Sequence, residues 1–256
     1  MRASTHLVSV FTLLCASLAA SLAAALDAEQ ILAKADVVIS APKDGVSKAV
    51  MILVDKDGSR KERRIKIWTR FFQDRDDWSV TKFLYPPEVR DLGFLSLADD
   101  KMYLYLPAFD RVRRIASHAR KESFAGSDLS NDDLSTGKYS HHYSAKLREE
   151  TSSDYVLELV RKPGSERIYS KVVAWVDKEH FTVGRMELFD DGDTPWKAYE
   201  AEMRQVQGYW TPVRMRMKDL RKNHETLIEV QDVQFDVGLP DDLFSERQLK
   251  RKVQDD

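Results

Sequence analysis

The densest group of metal-binding side chains in the sequence is the pair His141-His142. Tyr139 to Arg148 reads as a strand, where adjacent side chains point to opposite faces, so the two imidazoles are not expected to chelate one ion. No HExxH motif or cysteine–histidine set occurs, and no metal is expected. Nucleophilic catalysis has equally little to work with. There is no G-x-S-x-G elbow, and the one cysteine, Cys15, sits in an apolar N-terminal stretch. Asp100, Asp110, Asp128, Asp132 and Asp133 offer carboxylates, but charge-rich loops assemble such sets by accident. Gly126-Ser127-Asp128 is too short to cradle a phosphate. The expectation is a chain with no catalytic residue and no cofactor, and so not an enzyme. Arg111 and Arg113 share a strand face and could meet a lipid headgroup or an acidic partner. A solvated face, or pairing with carboxylates of the neighbouring segment, accounts for them as well.

Those residues must be positioned by the stretch from Lys101 to Leu134. It opens as an alternating strand, Lys101 to Leu106, and Pro107 and Asp110 supply a turn. Arg111 to Ile115 returns as a basic strand. Ser130-Asn131-Asp132-Asp133-Leu134 then reads as a capped helical turn with Ser130 as the cap. Around this stretch the period is mostly two. Lys48 to Asp55 and Arg60 to Phe72 are strands joined by an Asp57-Gly58 hairpin, and Trp78 to Tyr85 is a third, ended by Pro86-Pro87. Glu88 to Asp100 reads as a connector. Beyond Gly137 a meander of strands runs to Val237, with a parity switch that predicts a bulge near Gln231-Asp232. Helical material is expected at Leu26 to Ala35, capped by Asp27 with Gln30 in the capping-box position, and at Pro240 to Lys250, anchored by Leu243, Phe244 and Leu249. The chain therefore reads as mainly β: one curved antiparallel sheet of about ten or eleven strands with a few helices.

The first residues carry an address. Arg2 precedes a mostly apolar run from His6 to Leu22, and Ala23-Ala24-Ala25 offers small residues for cleavage. Residues 1–25 are expected to be a signal peptide, and 26–256 the mature domain. Cys15 lacks the small preceding residue of a lipidation site, so the mature chain would hold no cysteine and no disulfide. A formal net charge of -2 gives no argument for nucleic acid.

The run YLYLP…RVRRI…F.GSD…DL within Tyr103 to Leu134 resembles the signature of the outer-membrane lipoprotein-sorting proteins, relatives of the periplasmic lipoprotein carrier. Phe83 to Arg90, Gly93-Phe94-Leu95, Tyr209-Trp210-Thr211-Pro212 and Leu243-Phe244-Ser245 extend the resemblance over nearly the whole mature chain. It implies an open half-barrel whose concave apolar face is covered by helices. It also implies a periplasmic carrier or chaperone that shields acyl chains of lipoproteins or lipids on the way to the outer membrane. An inner-membrane transporter would be the donor and an outer-membrane acceptor the recipient, with the carrier a monomer. A non-carrier accessory subunit docking on an export system is the alternative.

The apolar stripes then gain a meaning. Met51, Leu53, Ile65, Ile67, Phe71, Trp78, Val80, Leu84, Met102, Leu104, Val213, Met215 and Met217 are candidates for one concave, lipid-binding wall. From periodicity alone they could equally pack a solid core. Flexible methionines suit a site for mobile chains without a single shape.

Overall fold

The computed structural model describes residues 26–97 and 101–253. The apolar N-terminal stretch with Cys15, and Asp100, lie outside them. Helix α1, Ala28–Ile39, starts as its sequence dictates: Asp27 accepts the Gln30 N–H at 2.8 Å, and Gln30 accepts the Asp27 N–H at 3.1 Å. It buries Ile31, Leu32 and Ala35. The strands follow: β1 (Asp44–Val54), β2 (Arg60–Arg70), β3 (Trp78–Tyr85), β4 (Gly93–Ser96), β5 (Met102–Leu106) and β6 (Arg111–Arg114). An insert of short 3-10 turns leads to α2, Tyr139–His142. Then come β7 (Tyr143–Glu150), β8 (Asp154–Arg161), β9 (Lys171–Asp177), β10 (Val183–Phe189), β11 (Lys197–Val206), β12 (Tyr209–Asp219), β13 (His224–Phe235) and α3 (Glu246–Leu249).

All thirteen strands join one antiparallel sheet, ordered β6-β5-β4-β3-β2-β1-β13-β12-β11-β10-β9-β8-β7. The pairing of β1 with β13 welds the two halves of the chain together at the middle, leaving β6 and β7 as edges. The tight turn after β1 needs a positive φ at Gly58, +82°, which only glycine adopts without strain. Bulges bend the sheet. Gln231 is the extra residue where Val230 pairs with Ala49 and Asp232 with Lys48, at the predicted parity switch. Val213 is the extra residue on β12, between Pro212 paired with Met203 and Arg214 paired with Glu202.

Three local readings change. The connector after β3 contains a strand, β4, too short to show a period, and this raises the strand count to thirteen. Tyr139–His142 is a helical turn rather than the start of β7. Strand β3 is covered on both faces. Phe83 and Thr81 face the inner side with Ile65 and Ile67, while Trp78 and Val80 join an outer cluster with Leu95, Phe244 and Leu249. The segment after β13 lies across that outer side. Its entry is fixed by Asp44, whose carboxylate accepts the N–H groups of Val237, Gly238 and Leu239 at 2.8, 3.2 and 3.0 Å.

Candidate functional site

The inward faces of neighbouring strands line up across the middle of the sheet. Met186 stands opposite Tyr199, Tyr199 opposite Met217, Met217 opposite Thr226, and Thr226 opposite Leu53. One step along, Met215 stands opposite Ile228 and Ile228 opposite Met51. Two covers sit over this concave face. One is α1, which packs against α2, β7 and β12. The other is the insert between β6 and β7, whose Phe124 ring lies 5.4 Å from Phe83 and 5.5 Å from Phe94.

Sheet and covers do not close completely. A cavity of about 350 Å³ is lined by Ile67, Tyr139, Met186, Tyr199, Met215 and Met217, among others. A smaller space of about 140 Å³ lies under α1 and shares Tyr139, Met186 and Tyr199 with it. A third, about 220 Å³, shares Ile67, Thr69, Met215 and Ile228. This third space carries an aromatic rim of Phe71, Trp210 and Phe235, with Phe71 and Phe235 centred 6.4 Å apart. The three adjoin as one apolar space under the covers. Its methionines can repack around a flexible guest.

The insert is held down by buried charge. Arg120 Nη1 lies 2.8 Å from Asp132 Oδ1, both side chains only 2% exposed. Asp132 also accepts the Ile168 N–H at 3.2 Å. Asp133 accepts Lys197 Nζ at 2.8 Å, the Tyr169 hydroxyl at 2.7 Å and the Ser130 N–H at 2.7 Å. Ser130 Oγ in turn accepts the Asp133 N–H at 3.2 Å, but the short helical turn Asp132–Leu134 has Asn131 rather than the expected Ser130 at its cap position, without a side-chain cap bond. Asp128 holds the far end, with His224 Nδ1 at 2.6 Å and the Thr226 hydroxyl at 2.8 Å. Burial pushes the Asp132 carboxyl above its ordinary range, with Arg167 and Arg120 opposing the shift.

Burial also keeps the cavity phenols neutral. It pushes Tyr199 up to about 12, and Tyr139, Tyr143 and Tyr169 well above the usual phenol value. In the unfolded chain these phenols ionise near pH ~10. Their contribution to stability is therefore complete below that pH and lost as the pH rises through about 12 for Tyr199. An alkaline titration should show part of the phenolate absorbance emerging only together with loss of near-ultraviolet circular dichroism. Complete phenol ionisation near pH ~10 in a still-folded protein would contradict this burial.

The structure sorts the thirteen wall candidates. Ile67, Met215 and Met217 line the main cavity, and Phe71 lines the rim. Met51, Leu53, Ile65, Met102 and Leu104 belong to the same inner cluster. Val213 falls at the β12 bulge. Trp78 and Val80 lie in the outer cluster, and Leu84, of the same parity on β3, lines a separate outer depression with Arg64 and Arg90. Arg111 and Arg113 are exposed on edge strand β6, with Arg113 3.9 Å from Glu122 of the insert. The histidine geometry is a correction. On the α2 turn both rings reach one carboxylate, His141 Nδ1 at 2.8 Å and His142 Nε2 at 3.3 Å from Asp76. Burial alone would raise Asp76; hydrogen bonds from His142, His141 and the Lys138 N–H outweigh it and hold the carboxyl well below its ordinary value. Among the described residues no group of three or more His, Cys, Asp or Glu is arranged to hold a metal ion.

Tyr139, Tyr199 and Met186 are cavity residues that periodicity did not single out. Tyr199 had a usable signal, since Tyr199, Ala201 and Met203 alternate with Glu200, Glu202 and Arg204 along β11. Tyr139 had none, because the turn that aims it into the cavity reads as strand.

A family model described as "Uncharacterized protein" matches residues 75–251. A DUF1329 family protein from Desulfovibrio piger is 29% identical, with 88% of this chain and 100% of that one covered and a TM-score of 0.79. A proposed outer membrane lipoprotein-sorting protein domain from Vibrio parahaemolyticus is 25% identical, covering 88% and 98% of the two chains with a TM-score of 0.80. A LolA superfamily protein from Nitrosomonas europaea, 20% identical over 88% of this chain and 100% of that one, has the same fold at a TM-score of 0.72. No curated protein matches the chain significantly. With the family model covering more than half of its length, the chain belongs to the family that these half-barrels represent, that of the outer-membrane lipoprotein-sorting proteins.

Proposed function

We propose that this protein is a periplasmic carrier that holds acyl chains of lipoproteins or lipids in its concave cavity for transfer towards the outer membrane. One observation carries the reading: a largely apolar, methionine-lined space between the sheet, α1 and the insert, with Phe71, Trp210 and Phe235 lining its adjoining part. Each buried methylene contributes roughly 0.8 kcal/mol, so a chain can be held without a catalytic or ionic anchor. The neighbouring structures of lipoprotein-sorting and LolA type support the same use of the fold. Residues 1–25 serve as the export signal, and residues 26–256 act as the carrier domain. An inner-membrane transporter loads the cavity and an outer-membrane acceptor empties it, with direction set by their relative affinities for the chain. Exposed Arg111 and Arg113 offer the edge strand to a lipid headgroup or an acidic partner surface.

The test is extraction. Vesicles carrying a triacylated lipopeptide are mixed with the protein and then sedimented. A carrier leaves lipopeptide in the supernatant in proportion to protein added. Lipopeptide that stays wholly with the vesicles would count against the reading.

A further inference from the structure

Two phenols in the cavity are left with nothing to donate to. Of the four enclosed tyrosines, Tyr143 donates to the Tyr169 carbonyl at 3.2 Å, and Tyr169 donates to Asp133 at 2.7 Å. The hydroxyls of Tyr139 and Tyr199 have no hydrogen-bond partner among the described residues, and both side chains line the main cavity and the space under α1. Both residues are half-buried, and a guest that displaces water from the cavity would strand these donors unless it brings an acceptor. Across the cavity, β2 and β3 turn Thr69, Ser79 and Thr81 inward, again without side-chain partners among the described residues. The charged groups nearby are already committed: Asp133 to Lys197 and Tyr169, Asp132 to Arg120, and Arg167 to Asp132 and Ser135. The cavity therefore presents neutral hydroxyl donors among methionine and aliphatic side chains, in a lining that also includes the already paired Asp132, Asp133 and Arg167 groups.

We propose that Tyr139 and Tyr199 form a subsite for a neutral carbonyl oxygen, so that the guest is an acyl ester or amide held by its linkage as well as its chain. This rests on the carrier reading and narrows it. A bare hydrocarbon would leave both phenols unsatisfied. A free carboxylate would bring a further negative charge beside Asp132 and Asp133, and the cationic lining residue, Arg167, is already engaged by Asp132 and Ser135. An ester or amide carbonyl accepts a hydrogen bond from a phenol at no cost in charge burial.

The experiment displaces a fluorescent alkyl probe from the full-length protein with dodecane, methyl laurate or laurate. Methyl laurate should compete best, roughly 5-fold or more ahead of dodecane, as expected for one or two net hydrogen bonds. The double variant Tyr139→Phe, Tyr199→Phe should keep the fold and the dodecane affinity, and lose the preference for the ester. The carbonyl stretch of bound methyl laurate should move to lower frequency in the parent and stay unshifted in the variant, a change that simple packing would not produce. Equal competition by ester and alkane in the parent, a preference for laurate, or an ester preference that survives in the double variant would each overturn the proposal while leaving the carrier reading intact. If the probe and all three competitors fail to bind, the carrier reading falls and the subsite with it.

Discussion

Met215→Glu should remove chain binding and leave the fold standing. Met215 is half-buried on β12, faces Ile228, and lines both the main cavity and the rim space. In the empty protein a carboxylate here keeps water around it. Once an acyl chain fills the space that water must leave, and the ion is stranded against methylene groups at a cost of several kcal/mol. Affinity in the extraction assay should drop about 100-fold or more, since each 1.4 kcal/mol is roughly a factor of ten. Met215→Leu keeps volume and apolarity and should stay near the parent. Arg214→Gln, next door but turned outward towards Glu202 and Glu229, should also bind normally. A folded Met215→Glu protein that extracts lipopeptide as well as the parent would remove the cavity from the account.

The second large effect concerns the insert. Arg120→Ala leaves the Asp132 carboxylate buried without its 2.8 Å partner. Losing one side of a buried ion pair costs about 3–5 kcal/mol, because the remaining charge has no water to return to. For a domain of this size the melting temperature should drop on the order of 10 °C. The same change should make the insert, from Ser117 to Lys138, a preferred site of limited proteolysis. Replacing both partners together, Arg120→Met with Asp132→Leu, should recover only part of the loss, because the Ile168 N–H and Arg167 then lose their acceptor. An Arg120→Ala protein with unchanged melting and protease resistance would show that the insert is held by its aromatic contacts with Phe83 and Phe94 instead.

These two predictions also show where the sequence was legible. Elements with a local signal appear as read. The Asp27–Gln30 box starts α1, Asp57-Gly58 turns the first hairpin, and the parity switch at Gln231 is a bulge. The curved antiparallel sheet follows from such alternation. Strand β3 misled because both its faces are buried. The more apolar parity, Trp78 and Val80, faces the C-terminal segment, while Ser79 and Thr81 turn to the cavity. Periodicity reports that a face is buried, not against what. His141-His142 misled because a four-residue helical turn is too short to show its period. The ion cluster under the insert could not be read at all, since Arg120, Asp132, Arg167 and Lys197 are brought together only by the insert folding over the curved sheet.

The central claim is that the cavity holds acyl chains, and native mass spectrometry of the protein released gently from periplasm tests it most directly. The account predicts a mass above that of the chain by one acylated guest, released on lipid extraction and absent from Met215→Glu. A clean apo mass that takes up neither added phospholipid nor lipopeptide would contradict it, leaving a non-carrier subunit that docks on an export system as the better description.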